Sequence, residues 1–178
     1  MKFKVLTSVL ALAITAGAAN AGTIIDIYAG ATVGGGAATV FADGKYNTDA
    51  AQSYGLMAGI DMPLLRFEAE YNYLNLDGAN LNVGMVNAYF KMPATVILPY
   101  AGLGIGSIFG GNADGLRVST TPAYQGMLGA SFDIAVLPLK FDIEGRAMYS
   151  PNLYTIPETN IKPDLLHYDL RLKVRYVF

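Results

Sequence analysis

The sequence predicts an all-β protein: a membrane-spanning, antiparallel up-and-down β-barrel of eight strands, preceded by a cleaved signal peptide. Three observations support this fold class. Hydrophobic residues make up 53% of the chain and charged residues only 15%, which is unusually hydrophobic for a soluble exported domain. After the first 21 residues, no uncharged apolar run suits a helix that spans a bilayer, which needs about 20 residues. Several segments alternate between apolar and charged side chains, as strands do.

The N-terminus has the features of a signal peptide. Lys2 and Lys4 precede an apolar stretch from Val5 to Ala16, and a small-x-small cleavage pattern ends at Ala21. The apolar stretch of about 12 residues is too short to anchor the chain as a transmembrane helix. We therefore expect export, cleavage after Ala21, and one barrel domain over residues 22–178.

Strand periodicity is clearest in three segments, Leu65–Tyr73, Leu139–Tyr149 and His167–Phe178. In each, apolar and aromatic residues occupy alternate positions and charged or polar residues lie between them. A helix would scatter these charges around its axis, so the period is two. Five further segments alternate less sharply: Ile24–Gly34, Ala51–Asp61, Asn82–Lys91, Leu98–Ser107 and Ala123–Ile134. The total of eight is even, as expected for a small membrane barrel.

The connections between these segments alternate in length. Three are short: Met62–Leu64, Met92–Ile97 and Ala135–Pro138. Four are longer and richer in Gly, Asn, Asp and Pro: Thr39–Ala50, Leu74–Leu81, Ile108–Pro122 and Ser150–Leu166. We therefore expect periplasmic termini and turns, with four loops outside the cell. The run Gly34-Gly35-Gly36 is expected to end strand one and to enter a flexible loop.

In each strand, one of the two sets of alternate positions faces the lumen, and a single choice of this inward set (the inward parity) per strand places all of the charged strand residues in the lumen. These are Asp26, Asp61, Arg66, Glu68, Glu70, Lys91, Asp133, Lys140, Asp142, Glu144, Arg146, Asp169, Arg171, Lys173 and Arg175. In a narrow barrel, eight acidic and seven basic side chains are expected to form ion pairs that plug the lumen. The alternative is a small, weakly conducting porin, which would leave a water path between the charges.

A soluble ligand-binding barrel would alternate in the opposite sense, with its apolar face inward. The outward set, however, carries tyrosines near strand ends, as a membrane-interface belt requires. They are Tyr71, Tyr73, Tyr149, Tyr168 and Tyr176. The membrane barrel is therefore the favoured architecture.

The last strand resembles the C-terminal insertion signal of bacterial outer-membrane proteins. A terminal Phe178 follows apolar residues at every second position, which are Leu170, Leu172, Val174 and Tyr176. Together with the signal peptide and the segment Leu98–Gly106, which is typical of a fifth strand, the chain resembles the OmpA-type and Opa-type barrels of the porin family. The resemblance implies a place in the outer membrane of a Gram-negative bacterium, among lipid and lipopolysaccharide. It also implies assembly by periplasmic chaperones and the barrel assembly machinery.

Catalysis is not expected. Some barrels of this size modify lipid A, which remains the alternative of a different class, and they resemble hydrolases in needing a histidine with a serine or acidic partner. The only histidine, His167, lies near Asp169 on one face, and neither Ser131 nor Ser150 has an evident place beside it. A histidine at the edge of a loop is more often solvated or paired.

The sequence also indicates which ligands to expect. It has no cysteine, so we expect no thiolate metal site, and its one histidine and scattered carboxylates form no other metal-ligand cluster. We expect no cofactor. Its 12 basic and 14 acidic residues give no basic patch for nucleic acid. A host or surface ligand would bind through the outer loops. The residues suited to anchor such a partner are Tyr46, Phe109, Leu153, Tyr154 and Ile156.

Overall fold

The computed structural model describes residues 25–42, 45–76, 79–93, 97–113, 116–118, 120–133, 137–153 and 163–178. The expected signal peptide, Tyr154 and Ile156 lie outside these ranges. The described residues form nine strands: β1 (Asp26–Ala42), β2 (Lys45–Asp61), β3 (Leu65–Leu76), β4 (Ala79–Lys91), β5 (Ile97–Ala113), β6 (Leu116–Arg117), β7 (Thr121–Asp133), β8 (Leu139–Ser150) and β9 (Asp164–Val177). Within the same ranges, no helix is long and apolar enough to cross a membrane.

Eight of these strands close into a barrel. Each pairs antiparallel with its neighbours along the chain, and β1 pairs with β9 to close the sheet. The two-residue β6 pairs with β5 beyond the wall, while β5 continues the wall by pairing with β7. The predicted eight-stranded up-and-down barrel is confirmed.

Several strands are longer than the alternation predicted. The segment Thr39–Ala50 was expected to be a loop, and that was wrong: β1 runs to Ala42 and β2 begins at Lys45. The glycine run Gly34–Gly36 lies inside β1 rather than at its end. Beyond the membrane the outward side chains need not be apolar, so the sequence loses its period while the backbone ladder continues. For convenience, residues 39–50 are called the β1–β2 extension.

The other predicted outer loops are shortened in the same way. The expected loop Leu74–Leu81 is mostly strand, because β3 ends at Leu76 and β4 begins at Ala79. In the expected loop Ile108–Pro122, β5 continues as far as Ala113. By contrast, the turn Met62–Leu64 lies between strands as predicted.

Burial alternates along the wall. In β3, each residue from Arg66 to Leu74 at even positions is buried, and each odd position is exposed. Large apolar side chains cover the outside, including the tyrosines predicted to face outward. Tyr168 and Tyr176 are eight residues apart on β9, which corresponds to roughly 21 Å along the barrel axis at a strand tilt of about 40°. That height is close to the apolar band of about 25 Å in membrane barrels.

Glycines on the inner face make room for large lumen side chains. A Cβ at Gly102 would lie 2.4 Å from the ring of Tyr89, and a Cβ at Gly129 would lie 2.5 Å from the ring of Tyr100. Contacts this short do not occur between real side chains, so these positions exclude any larger residue while the rings keep their places. The rings of Tyr89 and Tyr100 therefore fit into the narrow barrel because each lies opposite a glycine.

Candidate functional site

The lumen is the part of the molecule with unusual chemistry, and it is built in layers. Charged side chains fill its periplasmic and central parts. Apolar side chains fill the extracellular end. The charges form two groups, called here the periplasmic group and the central group, and the apolar layer is called the apolar cap.

The periplasmic group is organised around the carboxylate of Asp61. It pairs with the ammonium of Lys91, with Lys140 Nζ at 3.4 Å and with Arg175 Nη1 at 3.1 Å. Lys140 also approaches Asp26 Oδ2 at 3.4 Å. Lys140 and Asp26 are partly open to solvent, whereas Asp61, Lys91 and Arg175 are buried, so burial increases from the periplasmic edge of the group toward its centre.

Asp142 connects this group to the rings in the middle of the barrel. Its carboxylate accepts hydrogen bonds from Arg175 Nε at 2.6 Å and Nη2 at 2.9 Å, a bidentate pair. Arg66 Nη1 lies 3.4 Å from the same carboxylate. The Arg66 guanidinium also lies 4.0 Å from the ring centre of Tyr89 and 4.5 Å from that of Tyr100. Arg66 has only one ion pair, so these cation–π contacts help to stabilise its buried charge.

The central group has Lys173 at its middle. Lys173 Nζ lies 3.0 Å from Glu68 Oε1, 3.0 Å from Glu144 Oε2 and 3.0 Å from Tyr89 Oη. An ammonium has three protons to donate, and each has an acceptor here. Its side chain has no exposed surface, so its charge depends entirely on these partners.

Two arginines complete the central group. Arg146 Nη2 donates to Glu70 at 2.9 Å and to Glu144 at 2.8 Å. Arg171 donates to Glu70 at 2.9 Å and also to the carboxylate of Asp169. Glu70 therefore holds two guanidinium groups from different strands, which ties β3 to β8 and β9 across the lumen.

Neutral donors compensate the remaining negative charge. The central group has four carboxylates and three cations: Glu68, Glu70, Glu144 and Asp169 with Arg146, Arg171 and Lys173. Tyr28 Oη donates to Glu68 at 2.8 Å, and Asn87 Nδ2 donates to Glu70 at 2.8 Å. Buried charges are tolerable when they are both paired and hydrogen-bonded. Each carboxylate of this group has a cation and a neutral donor, but one oxygen, Asp169 Oδ1, has no partner among the described residues.

An apolar cap fills the lumen above the charges. Its buried members are Ala38, Ala51, Leu74, Leu81, Val83, Met85, Ile108, Val118, Ala123, Met148, Leu153 and Leu165. Val118 and Leu153 come from connections between strands and fold inward. This layer was not predicted from the sequence. The signal was present as apolar residues at inward parity in β3 and β4, at Leu74, Leu81 and Val83.

Leu153 was predicted to be an exposed anchor for a partner, and that was wrong. Its side chain is only 2% exposed, because the backbone N–H of Leu153 donates to the Pro163 carbonyl and turns the side chain into the cap. Tyr46 and Phe109, predicted for the same role, are exposed.

His167 lies on the inner face beside Asp169, at the border between the cap and the central group. It is neither solvated nor paired, contrary to expectation: both ring nitrogens are buried and have no hydrogen-bond partner among the described residues. Ser150 Oγ instead lies 2.6 Å from Thr121 Oγ1, and Ser131 Oγ accepts from Arg175. Within the described ranges, no group of three or more His, Cys, Asp or Glu residues could hold a metal ion.

The predicted insertion signal lies on the outer face of β9. Leu170, Leu172, Val174 and Tyr176 are exposed on the outer face, and the rings of Tyr176 and Phe178 meet edge to face with their centroids 5.2 Å apart.

We expect Phe178→Ala to slow assembly in cells by removing the terminal aromatic group, while a change at the other end of the row, Leu170→Ala, has a smaller effect. Heat-modifiable folded protein in isolated membranes measures both. Equal assembly of the two variants would contradict a role for the terminal residue.

Comparison with known proteins shows what the fold resembles. No protein-family model and no curated protein sequence matches the chain. Among solved structures, Neisserial surface protein A is 16% identical, covers 85% of this chain and 97% of its own, and superposes with a TM-score of 0.65. The N-terminal β-barrel domain of Pseudomonas aeruginosa OprF is 15% identical, covers 83% and 97%, and has a TM-score of 0.52. The chain has the fold of the eight-stranded outer-membrane β-barrels.

Proposed function

We propose that the protein is an integral outer-membrane barrel of a Gram-negative bacterium, with a structural or surface-interaction role and no catalysis. In this proposal the signal peptide exports it, and periplasmic chaperones and the barrel assembly machinery insert it. The lumen does not transport; it makes the wall rigid, so that the extracellular end is held in a fixed shape.

The observation that supports this proposal is that two layers of buried side chains occupy the lumen. The ion-paired groups fill its periplasmic and central parts with buried, mutually bonded side chains. The apolar cap then fills the extracellular part, and a hydrophobic constriction excludes water and ions even where its diameter would admit them. A transport path would have to open both layers.

The outer-membrane location is supported by the wall. Its apolar exterior, flanked by tyrosines and phenylalanines, matches the thickness and the aromatic belts of membrane barrels. Neisserial surface protein A, whose barrel superposes on this one, is by its name a surface protein. Surface display is the role we carry over from it as a proposal.

A weakly conducting pore is the second candidate, and one observation favours it. Several buried polar atoms of the lumen have no partner among the described residues: Thr32 Oγ1, Arg66 Nε, Arg66 Nη2, Arg146 Nε and Asp169 Oδ1. Such atoms are suited to hold ordered waters, and a chain of waters is the first requirement of a pore.

Single-channel conductance in a planar bilayer distinguishes the two. We expect the refolded chain from Gly22 to Phe178 to be electrically silent, because the cap and the ion pairs leave no continuous water path. A heat-dependent shift on a denaturing gel first establishes that the barrel is folded. Steady, reproducible openings from folded protein would contradict the closed lumen and favour the small porin.

The absence of catalysis is supported by the position of the only histidine. His167 is buried beneath the cap, where a lipid substrate outside the barrel does not reach its ring. We expect unchanged lipid A, measured by mass spectrometry, in cells that express the protein. A modification of lipid A that is lost in the His167→Ala variant would overturn this part of the proposal.

A further inference from the structure

The outward face of the β1–β2 extension has an unusual composition. Phe41 and Tyr46 are direct cross-strand neighbours near its end, and their side chains are 43% and 77% exposed. In the next outward row toward the membrane, Thr39 Oγ1 and Thr48 Oγ1 lie 2.9 Å apart. An exposed aromatic pair thus lies above a pair of hydroxyl groups on the outward face of the extension.

This aromatic pair lies too far from the bilayer to belong to the interface belt. Tyr54 pairs with Tyr73 in the register of β2 and β3, within the outer aromatic belt. Tyr46 precedes Tyr54 by eight residues in β2 and lies on its extracellular side. At a strand tilt of about 40°, this separation is roughly 21 Å along the barrel axis. A phospholipid headgroup layer is only about 5–8 Å deep on each side of the hydrocarbon. Phospholipids therefore do not reach Tyr46.

The charge next to the aromatic pair indicates what kind of group fits there. Asp164 is the cross-strand neighbour of Phe41 on the β9 side. Its carboxylate accepts hydrogen bonds from Tyr149 Oη at 2.8 Å and from the Asn152 N–H at 3.0 Å. The described outward side chains of the extension include no cation. A phosphate would meet a negative charge here, whereas an uncharged ring with hydroxyl groups would not.

We propose that Thr39, Phe41, Tyr46 and Thr48 form a contact surface for the oligosaccharide of lipopolysaccharide in the outer leaflet. The inference rests on the proposed outer-membrane location, since this surface continues directly from the lipid-facing wall. The part of an outer-leaflet lipid that extends beyond the headgroups, which is the oligosaccharide in lipopolysaccharide, therefore lies next to this surface. The C–H face of a sugar ring stacks on Tyr46 and Phe41, and its hydroxyl groups exchange hydrogen bonds with the threonines.

A tryptophan probe tests this contact, because the chain contains no tryptophan. The variant Tyr46→Trp would be refolded into phospholipid vesicles that contain no glycolipid, lipid A alone, or lipopolysaccharide with its full core oligosaccharide. We expect the introduced indole to be protected from a water-soluble quencher, with emission at shorter wavelength, only in the third vesicle. The matched control is Tyr124→Trp in the membrane belt, whose emission is expected to be the same in all three.

A second variant identifies the surface that provides the protection. Adding Phe41→Ala to Tyr46→Trp removes the neighbouring ring. We expect the lipopolysaccharide concentration needed for half-maximal protection to rise on the order of ten-fold, which corresponds to a loss of about 1.4 kcal/mol in binding free energy. Equal quenching of the Tyr46→Trp variant in lipid A and full-core vesicles would overturn the inference. So would protection in phospholipid alone, or protection that depends on the ratio of protein to lipid, which would indicate a second copy.

The two proposals fail in distinguishable ways. If the Tyr124→Trp variant reports insertion and the Tyr46→Trp variant gives no response to the core oligosaccharide, the saccharide contact is wrong and the outer-membrane barrel stands. If the folded protein does not insert into any vesicle, the proposed location is wrong and the saccharide contact falls with it.

Discussion

Lys173→Met is expected to lower the free energy of unfolding by about 3–5 kcal/mol, the loss typical when one partner of a buried ion pair is removed. Methionine preserves most of the side-chain volume, so the loss reports on charge rather than on packing. Without the ammonium, Glu68 and Glu144 remain buried with one fewer cation, and the Tyr89 hydroxyl loses a donor. Urea titration of the refolded barrel in lipid vesicles measures the change.

Lys140→Met is the matched control, because it makes the same chemical change at the periplasmic end of the lumen. The Lys140 side chain is 20% exposed, and its carboxylate partners lie 3.4 Å or more away. Water replaces a lost ion pair there, so we expect a loss of less than about 1 kcal/mol. The same loss in both variants would contradict the claim that burial makes the central group important.

A second change tests whether the loss in Lys173→Met comes from an uncompensated carboxylate. Glu68→Gln removes one negative charge. Tyr28 donates to Oε2 of Glu68 and Tyr89 to Oε1, so the single amide oxygen keeps the hydrogen bond from Tyr28, while the amide NH2 donates to the Tyr89 hydroxyl, which has lost Lys173 as a donor. We expect the double variant to recover part of the stability lost by Lys173→Met alone. Additive losses would mean instead that the ammonium acts mainly through Glu144.

The alternation of charged and apolar residues predicted much of this structure. Lipid excludes charge from the outer face, so in β3 and β9 the positions of Arg66, Glu68 and Lys173 determine which face points inward. Which charges pair could not be predicted. Lys173 meets Glu68 across the lumen, 105 positions away in the chain, and that contact depends on the stagger of the closed sheet and on side-chain rotamers.

The extracellular part of the barrel was less predictable, for a physical reason. Above the membrane the outer face meets water and polar headgroups, so Thr39, Thr48 and Gln52 are acceptable there. The inner face is still a protein core and is filled by residues such as Leu74 and Ile108. Along a single strand, the sequence therefore changes from apolar-out and polar-in within the membrane to polar-out and apolar-in above it. The pattern that predicts a membrane strand ends where the membrane ends, although the strand itself continues.

Gly36→Ala is expected to have the other large effect, and its neighbour Gly35 provides the control. A Cβ at Gly36 would lie 1.8 Å from the Tyr168 carbonyl oxygen and 2.6 Å from the Asp169 Cα, whereas a Cβ at Gly35 has no atom within 4 Å. The atoms in the way belong to the backbone, so no rotamer change relieves the overlap. Either β1 separates from β9, or the alanine variant does not close.

The predicted cost of Gly36→Ala is therefore at the upper end of overpacking, about 3 kcal/mol or more, against a change within about 0.5 kcal/mol for Gly35→Ala. The fraction of heat-modifiable protein after refolding, followed by urea titration, measures both. Similar stability of the two variants would mean that the β1–β9 seam is loose enough to admit a methyl group. If the seam is tight, Gly36, which looked like part of the start of a flexible loop, is what allows the first and last strands to approach closely enough to close the barrel.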